Sequence, residues 1–97
     1  MKIVGFLFAV CFSSVCFAQG LAEHKNNIQA SGGYTKHVGG GFGGGRYEGV
    51  GFSTNSPEHA LRKCCFYGQR PILEQSVKYG YHKGYRMWGW FATIIYK

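Results

Sequence analysis

The chain has 97 residues and a formal net charge of +7, with four acidic residues and no aspartate. Its length excludes more than one ordinary domain, and the scarcity of carboxylates argues against a paired-carboxylate catalytic mechanism. The positive charge favours contact with anionic partners such as phosphates, acidic polysaccharides or lipid head groups, unless it serves only to keep a small protein soluble.

The N-terminal residues have the pattern of a secretory signal peptide. A basic start is followed by an apolar run over residues 3–15, and Cys16 and Ala18 place small residues at the positions that a signal peptidase recognises. The run is shorter than the roughly 20 residues that span a bilayer. We therefore predict a signal peptide over residues 1–18, cleaved before Gln19, a secreted or periplasmic protein, and no transmembrane segment after cleavage.

Removal of the signal peptide leaves two of the four cysteines, the sequence neighbours Cys64 and Cys65. Adjacent Cα atoms lie about 3.8 Å apart across a trans peptide, whereas a disulfide normally needs roughly 4.4–6.8 Å. We therefore expect no bridge within the mature chain. A buried Cys64 beside a partly exposed Cys65 is the expected arrangement, and a disulfide between two chains through Cys65 is the alternative.

Residues 19–45 are predicted to be a flexible, glycine-rich linker. Residues 21–31 are polar with scattered apolar positions and could form a transient helix, and residues 32–45 are dense in glycine. Glycine loses the most conformational freedom on folding, and this stretch offers little apolar surface to offset that loss. The Gly-x-Gly-x-x-Gly spacing within residues 39–44 lacks the preceding strand and the following helix of a dinucleotide-binding turn, so we attribute it to composition.

A small folded domain is predicted over residues 46–97, and it begins with a strand. Residues 46–54 alternate in polarity and place Gly49 and Gly51 on one face. Glycines within a strand often mark the close approach of another element. The helix that follows along the chain is the expected neighbour.

This helix has the clearest local signals in the chain. Ser56 is a favourable N-cap, Pro57 suits the first helical position, and Gly68 is a typical stop. At about 100° per residue, the apolar face of the helix centres on Cys64. We therefore predict a helix from Pro57 to the residue before Gly68.

Two further strands complete the predicted domain. Residues 71–79 fit a strand or a helix, with the strand preferred; residues 80–86 indicate a loop; and residues 87–96 form the strongest strand pattern. The last strand is apolar on both faces, which is typical of a central strand. The predicted fold is α+β, in the order β-α-β-β, with three strands and one helix. Because one helix cannot cover both apolar faces, we expect a homodimer or another partner on the second face.

The segment 78–88 alternates aromatic rings with cations and glycines. Flat rings stack on bases or sugars while cations hold phosphates or acidic groups. The alternative is that these rings form the domain's own core, which we expect for Trp88 and Trp90. The outer face of the helix adds further cations and an unusually placed phenylalanine. The candidate ligand-binding residues of the loop and the helix are Tyr81, His82, Lys83, Tyr85, Arg86, His59, Arg62, Lys63 and Phe66.

These features predict an exported, non-enzymatic binding module that contacts an anionic polymer or surface, such as a polysaccharide, a nucleic acid or lipid head groups, through the loop. A membrane-active or antimicrobial protein is the alternative, since cationic, glycine-rich chains that carry tryptophan suit membrane interfaces. A very small hydrolase using His59 or His82, or a thiol enzyme, is less well supported because no base, nucleophile and orienting group converge in the sequence. We expect no cofactor and no metal, since no pair of cysteines has the spacing of a zinc site.

Overall fold

A computed structural model describes residues 20–97, so the predicted signal peptide over residues 1–18 lies outside the described residues. The described part is an α+β domain whose three strands form one antiparallel sheet in the order β1-β3-β2, as the sequence predicts for the fold class and the strand number. No helix among residues 20–97 is both long enough and apolar enough to cross a membrane. The elements are α1 (Leu21–Gly32), β1 (Tyr47–Ser53), α2 (Pro57–Arg62), β2 (Ile72–His82) and β3 (Met87–Tyr96).

Strand β3 occupies the centre of the sheet and supplies most of the core. Ala92, for example, stands between Gly51 of β1 and Val77 of β2. Every residue of β3 from Phe91 to Tyr96 is buried, because alternate side chains face α2 on one side of the sheet and α1 on the other. The prediction of a central strand at residues 87–96 is confirmed.

The close approach predicted at the glycines of β1 is also confirmed. A Cβ atom on Gly49 would lie 2.5 Å from the Cys65 carbonyl oxygen, and one on Gly51 would lie 2.6 Å from the Ala60 carbonyl oxygen. Both distances are too short for a side chain. The two glycines therefore allow the backbone of α2 and of the turn after it to lie directly on the sheet.

Helix α2 begins as predicted but ends early. The Ser56 hydroxyl accepts a hydrogen bond from the backbone amide of His59 at 3.0 Å, which confirms the predicted N-cap. The prediction that the helix continues to Gly68 is wrong, because α2 ends at Arg62 and the chain then turns. Phe66 has a left-handed φ of 67°, which an α-helix cannot contain. Its ring packs 5.2 Å from that of a tyrosine in β1, so a tertiary contact replaces the last helical turns.

The prediction of a flexible linker over residues 19–45 is wrong for residues 21–32, which form α1 on the second face of the sheet. The residues that α1 buries follow the i, i+3, i+4, i+7 spacing of a docked helix, but three of the four are polar. The helix therefore lacks the apolar stripe by which a docked helix is normally found in a sequence. These buried residues are Ala22, Lys25, Asn26 and Gln29.

Helix α1 is docked by hydrogen bonds. Asn26 Nδ2 donates to the Phe91 carbonyl at 2.9 Å, and Gln29 Nε2 donates to the Thr93 hydroxyl at 3.2 Å. Polar groups can be buried at low cost when they are paired in this way. Because α1 covers the second face of β3, that face does not need a second copy of the chain to cover it.

Charged groups fix the N-terminal half of α1 on the sheet. Lys25 Nζ lies 2.7 Å from Glu48 Oε1 of β1, and both side chains are almost wholly buried. At the N-terminus of α1, Glu74 Oε1 of β2 accepts a hydrogen bond from the Ala22 amide at 2.7 Å, which places a carboxylate at the positive end of the helix dipole. The helix is thereby tied to both edge strands.

Residues 33–45 have no regular secondary structure but contact the domain at several points. The Lys36 amide donates to Gln29 Oε1 at 2.9 Å, and the Val38 amide donates to Glu48 Oε2 at 3.3 Å. The glycine-rich run leads into strand β1, so the Gly-x-Gly-x-x-Gly spacing lacks the helix that a dinucleotide-binding turn requires.

Strand β2 resolves the ambiguity at residues 71–79 in favour of the strand, and it runs further than predicted. It extends to His82, so residues 80–82 are strand rather than loop. The hairpin turn is confined to the four residues before β3, and Arg86 reverses the chain with a left-handed φ of 58°. A bulge lies between Ile72 and Glu74 at the other end.

Candidate binding surface

Four aromatic residues form a continuous strip on the face of the hairpin that also carries α2. Tyr79 stands opposite Trp90 and Tyr81 opposite Trp88 in the register of β2 and β3. The Tyr79 ring stacks on Trp88 at 5.8 Å and meets Trp90 edge-on at 5.0 Å, while Tyr81 meets Trp88 edge-on at 5.5 Å. We call these four residues the aromatic strip.

The aromatic strip is open to solvent. Trp88 is 59% exposed, Tyr79 54% and Tyr81 39%, whereas Trp90 is half-buried and packs against the core. Helix α2 has only 6 residues and packs on the part of this face that lies beyond Trp90. The expectation that Trp88 belongs to the core is therefore wrong, and for Trp90 it holds in part.

His82 does not belong to this surface, because adjacent strand residues face opposite sides of the sheet. The residue is 5% exposed, and its ring stacks on Tyr85 at 4.2 Å and on Phe91 at 5.6 Å. Nδ1 accepts a hydrogen bond from the Tyr85 amide, and Nε2 lies 3.1 Å from the Thr35 hydroxyl. Burial lowers the pKa of His82, since a charged ring would lose its solvation. This burial counts against a ligand contact at His82, a role that stays a prediction, and the residue packs the hairpin against residue 35.

The hairpin turn brings some of the remaining candidate residues together. Lys83, Tyr85 and Arg86 are exposed, and Tyr85 is 64% exposed. Tyr85 also lines a groove of about 200 Å³ at the end of β1, together with His59 and Lys63 of the α2 region. The structure thus joins one predicted loop residue to two predicted helix residues.

The other two helix candidates lie elsewhere. Arg62 is exposed but does not line this groove. The Phe66 ring packs 5.2 Å from Tyr47 and 6.0 Å from Tyr96, and it borders a separate cavity of about 430 Å³ beside Arg46 and the glycine-rich loop. The nine candidate residues therefore do not form one site.

A serine that sequence reasoning missed contacts one of the candidate histidines. The Ser53 hydroxyl lies 2.6 Å from His59 Nδ1 and accepts a hydrogen bond from the Asn55 amide at 3.0 Å. A serine six residues before a histidine is too common a spacing to have signalled this pair. Within residues 20–97 no carboxylate forms an ion pair with His59, so the pair lacks the group that orients the base in a nucleophilic triad.

The two cysteines of the domain differ in exposure. The expected burial of Cys64 is confirmed, whereas Cys65 is exposed rather than partly exposed. Cys64 is buried and its thiol donates to the Ala60 carbonyl at 3.6 Å, while Cys65 is exposed. Burial, together with the neighbouring Cys65, raises the pKa of Cys64 to about 12. The Cys64 thiol therefore stays protonated and unreactive at neutral pH. A disulfide between two chains through Cys65 stays a prediction.

Within the described range 20–97, no group of three or more His, Cys, Asp or Glu residues could hold a metal ion. Comparison of the chain with protein-family models, with curated proteins and with solved structures finds no match. The function is therefore inferred from the geometry and charge of the surface itself.

Proposed function

We propose that the protein is a non-enzymatic binding module that holds anionic polymers on its aromatic strip. The observation that carries this proposal is the exposure of three neighbouring rings, Tyr79, Tyr81 and Trp88, on a sheet whose core does not need them. A contiguous exposed apolar surface of this kind is typical of a binding site. Each ring that stacks on a base contributes about 1–3 kcal/mol.

Charge supports an anionic partner. Glu74 is the last acidic residue in the sequence, so every charged side chain in the segment 75–97, which includes the whole aromatic strip, is basic. Lys83 and Arg86 lie in the hairpin turn between Tyr81 and Trp88, whereas Lys78 faces the opposite side of the sheet. An excess of positive charge attracts anionic polymers and accelerates their association. The basic residues of this segment are Lys78, Lys83, Arg86 and Lys97.

The strip is also held in a fixed geometry before any ligand binds. Its four rings lie on paired strands and contact one another across the hairpin. A surface that is already ordered loses little conformational entropy on binding. We further propose that the protein acts after export, which the signal-peptide pattern of residues 1–18 supports and N-terminal sequencing of the secreted form would test.

The test is a fluorescence titration with a single-stranded oligonucleotide, with heparin and with a neutral polysaccharide. We expect both anionic polymers to bind and the neutral one not to bind. The double variant Tyr79→Ala, Trp88→Ala should lower the affinity at least about tenfold, because two stacking contacts are lost. Tyr67→Ala, which truncates an exposed ring outside the strip, is the matched control and should bind like the wild type.

Salt dependence tests the role of the cations separately. The double variant Lys83→Ala, Arg86→Ala should bind more weakly and with a shallower dependence on salt concentration, because fewer counterions are displaced. If the double ring variant binds both anionic polymers with wild-type affinity and remains folded by circular dichroism, the proposed function is wrong.

A membrane-active function is the second candidate, and it has its own supporting observation. Tyr85, Trp88, Tyr79 and Met87 are, in that order, the most exposed large apolar side chains of the hairpin, and cations flank them in sequence. Tyr and Trp beside basic residues suit the interface of an anionic bilayer. Leakage of anionic vesicles that neutral vesicles do not show, abolished by Trp88→Ala, would favour this function over polymer binding.

A further inference from the structure

The outer edge of strand β2 is open along most of its length. β2 has 11 residues and lies at one edge of the sheet. Within residues 20–97, no strand pairs with this edge, and no loop forms a backbone hydrogen bond to the strand between Glu74 and Tyr81. The other edge strand, β1, is shorter and mostly buried. A long, exposed edge presents a row of free amide and carbonyl groups that can pair with another strand.

Two opposite charges are spaced symmetrically on this open strand. Glu74 and Lys78 are four residues apart and share a face of β2, and Ser76 lies midway between them. Neither side chain forms an ion pair within the described residues. In an antiparallel pair of β2 strands centred on Ser76, each Glu74 would stand directly opposite Lys78 of the second copy.

The neighbouring registers lack this match. A pair centred on Val77 places Lys78 opposite Ser76, and a pair centred on Lys78 places the two lysines against each other. Opposite charges that face each other across strands stabilise a pair, and like charges destabilise it. The charge pattern therefore selects one register among those that the open edge allows.

We propose that the protein forms a symmetric dimer in which two β2 strands pair in antiparallel fashion about Ser76. The two sheets then become one sheet of six strands. The twofold axis is perpendicular to this sheet, so both aromatic strips face the same side. The two Tyr79 positions lie about 20 Å apart along the strands, which is six residues at roughly 3.3 Å each. If the aromatic strip binds polymers as proposed, the dimer presents two binding strips on one side. The dimer itself does not depend on the proposed function.

The first test measures the sedimentation of the full chain at several concentrations. The wild type should show a reversible monomer–dimer equilibrium. Lys78→Glu should be monomeric, because it places two pairs of carboxylates opposite each other, and Lys36→Glu, an equal change of charge at an exposed loop position, should dimerise normally. Equimolar mixing of Lys78→Glu with Glu74→Lys should restore a dimer of one copy of each.

The Glu74 carboxylate also binds the first turn of α1, so Glu74→Lys could loosen that helix. A covalent crosslink tests the dimer without this substitution. Ser76→Cys in a Cys65→Ser background should give an oxidised dimer with a disulfide joining position 76 of the two copies, located by peptide mass mapping. Gln75→Cys in the same background should form this crosslink far more slowly, since position 75 faces position 77 in the proposed register.

Three results would overturn the proposal: a wild type that stays monomeric at every concentration, a dimeric Lys78→Glu, or equal crosslinking at both positions. Polymer binding by a monomeric wild type would overturn the dimer and leave the binding function intact.

Discussion

Removal of the buried amine of Lys25 gives the sharpest test of how α1 is attached. Lys25 and Glu48 lie 2.7 Å apart with almost no solvent exposure. Substitution of Lys25 by Met would leave the Glu48 carboxylate buried without its closest cation. Truncating one partner of a buried ion pair typically costs about 3–5 kcal/mol. Glu48 retains contacts to His37 at 3.1 Å and to the Val38 amide, so we expect the lower end of this range, about 3 kcal/mol.

Urea unfolding at neutral pH, followed by circular dichroism, measures this loss. For a small protein with a slope of about 1 kcal/mol per molar urea, a loss of about 3 kcal/mol lowers the midpoint by about 3 M. The double variant Lys25→Met, Glu48→Leu should recover most of the lost stability, because no unpaired charge is then buried. Lys36→Met, at an exposed position, is the control and should change stability by less than about 0.5 kcal/mol.

Two results of the unfolding experiment would contradict the role assigned to this ion pair. If Lys25→Met and its control unfold at the same urea concentration, α1 does not rest on the sheet through this ion pair. If the double variant is as unstable as the single one, the cost comes from lost packing rather than from an unpaired carboxylate, and the electrostatic argument is wrong.

Three further predictions follow from individual contacts. Gly51→Ala should lower the free energy of unfolding by about 1–3 kcal/mol, because its Cβ would overlap the backbone of α2, whereas Gly39→Ala, with no atom within 4 Å, should leave the melting temperature almost unchanged. The pKa of His82 is lowered in the fold, so below about pH 6.5 the unfolded chain binds more protons at this residue than the folded chain does. The free energy of unfolding of the wild type should therefore fall as the pH drops below this value. The same loss should be absent from the pH profile of His82→Gln. Iodoacetamide at pH 8 should label the exposed Cys65 rapidly and the buried Cys64 slowly, as read from peptide masses, since the pKa of Cys64 is about 12; equal labelling would contradict this.

The elements that the sequence predicts well are those set by local signals. Ser56 caps α2, and the glycines of β1 admit the helix backbone, because these requirements act within a few residues. The pattern of residues 87–96 identifies the central strand for a similar reason, since burial on both faces favours apolar side chains at successive positions rather than at alternate ones.

The candidate site was predicted in part. The aromatic and basic character of the hairpin is visible in the sequence, and Tyr81 and Tyr85 are exposed there as expected. The location of the turn was not predictable, because the extension of β2 to His82 depends on pairing with β3. This extension moves His82 into the packed side of the sheet and leaves Trp88 on the open side.

Sequence alone determined the first and last strands, the start of α2, the central place of β3 and the positive charge of the C-terminal segment, since each of these follows from residue type and short-range spacing. Only the tertiary structure decided that α1 docks, because its buried face is polar and becomes favourable only when Asn26 and Gln29 meet partners more than 60 residues away. The same holds for the early end of α2 and for the open edge of β2. Local preferences are properties of a segment, whereas pairing of buried polar groups and exposure of an edge exist only once distant segments are brought together.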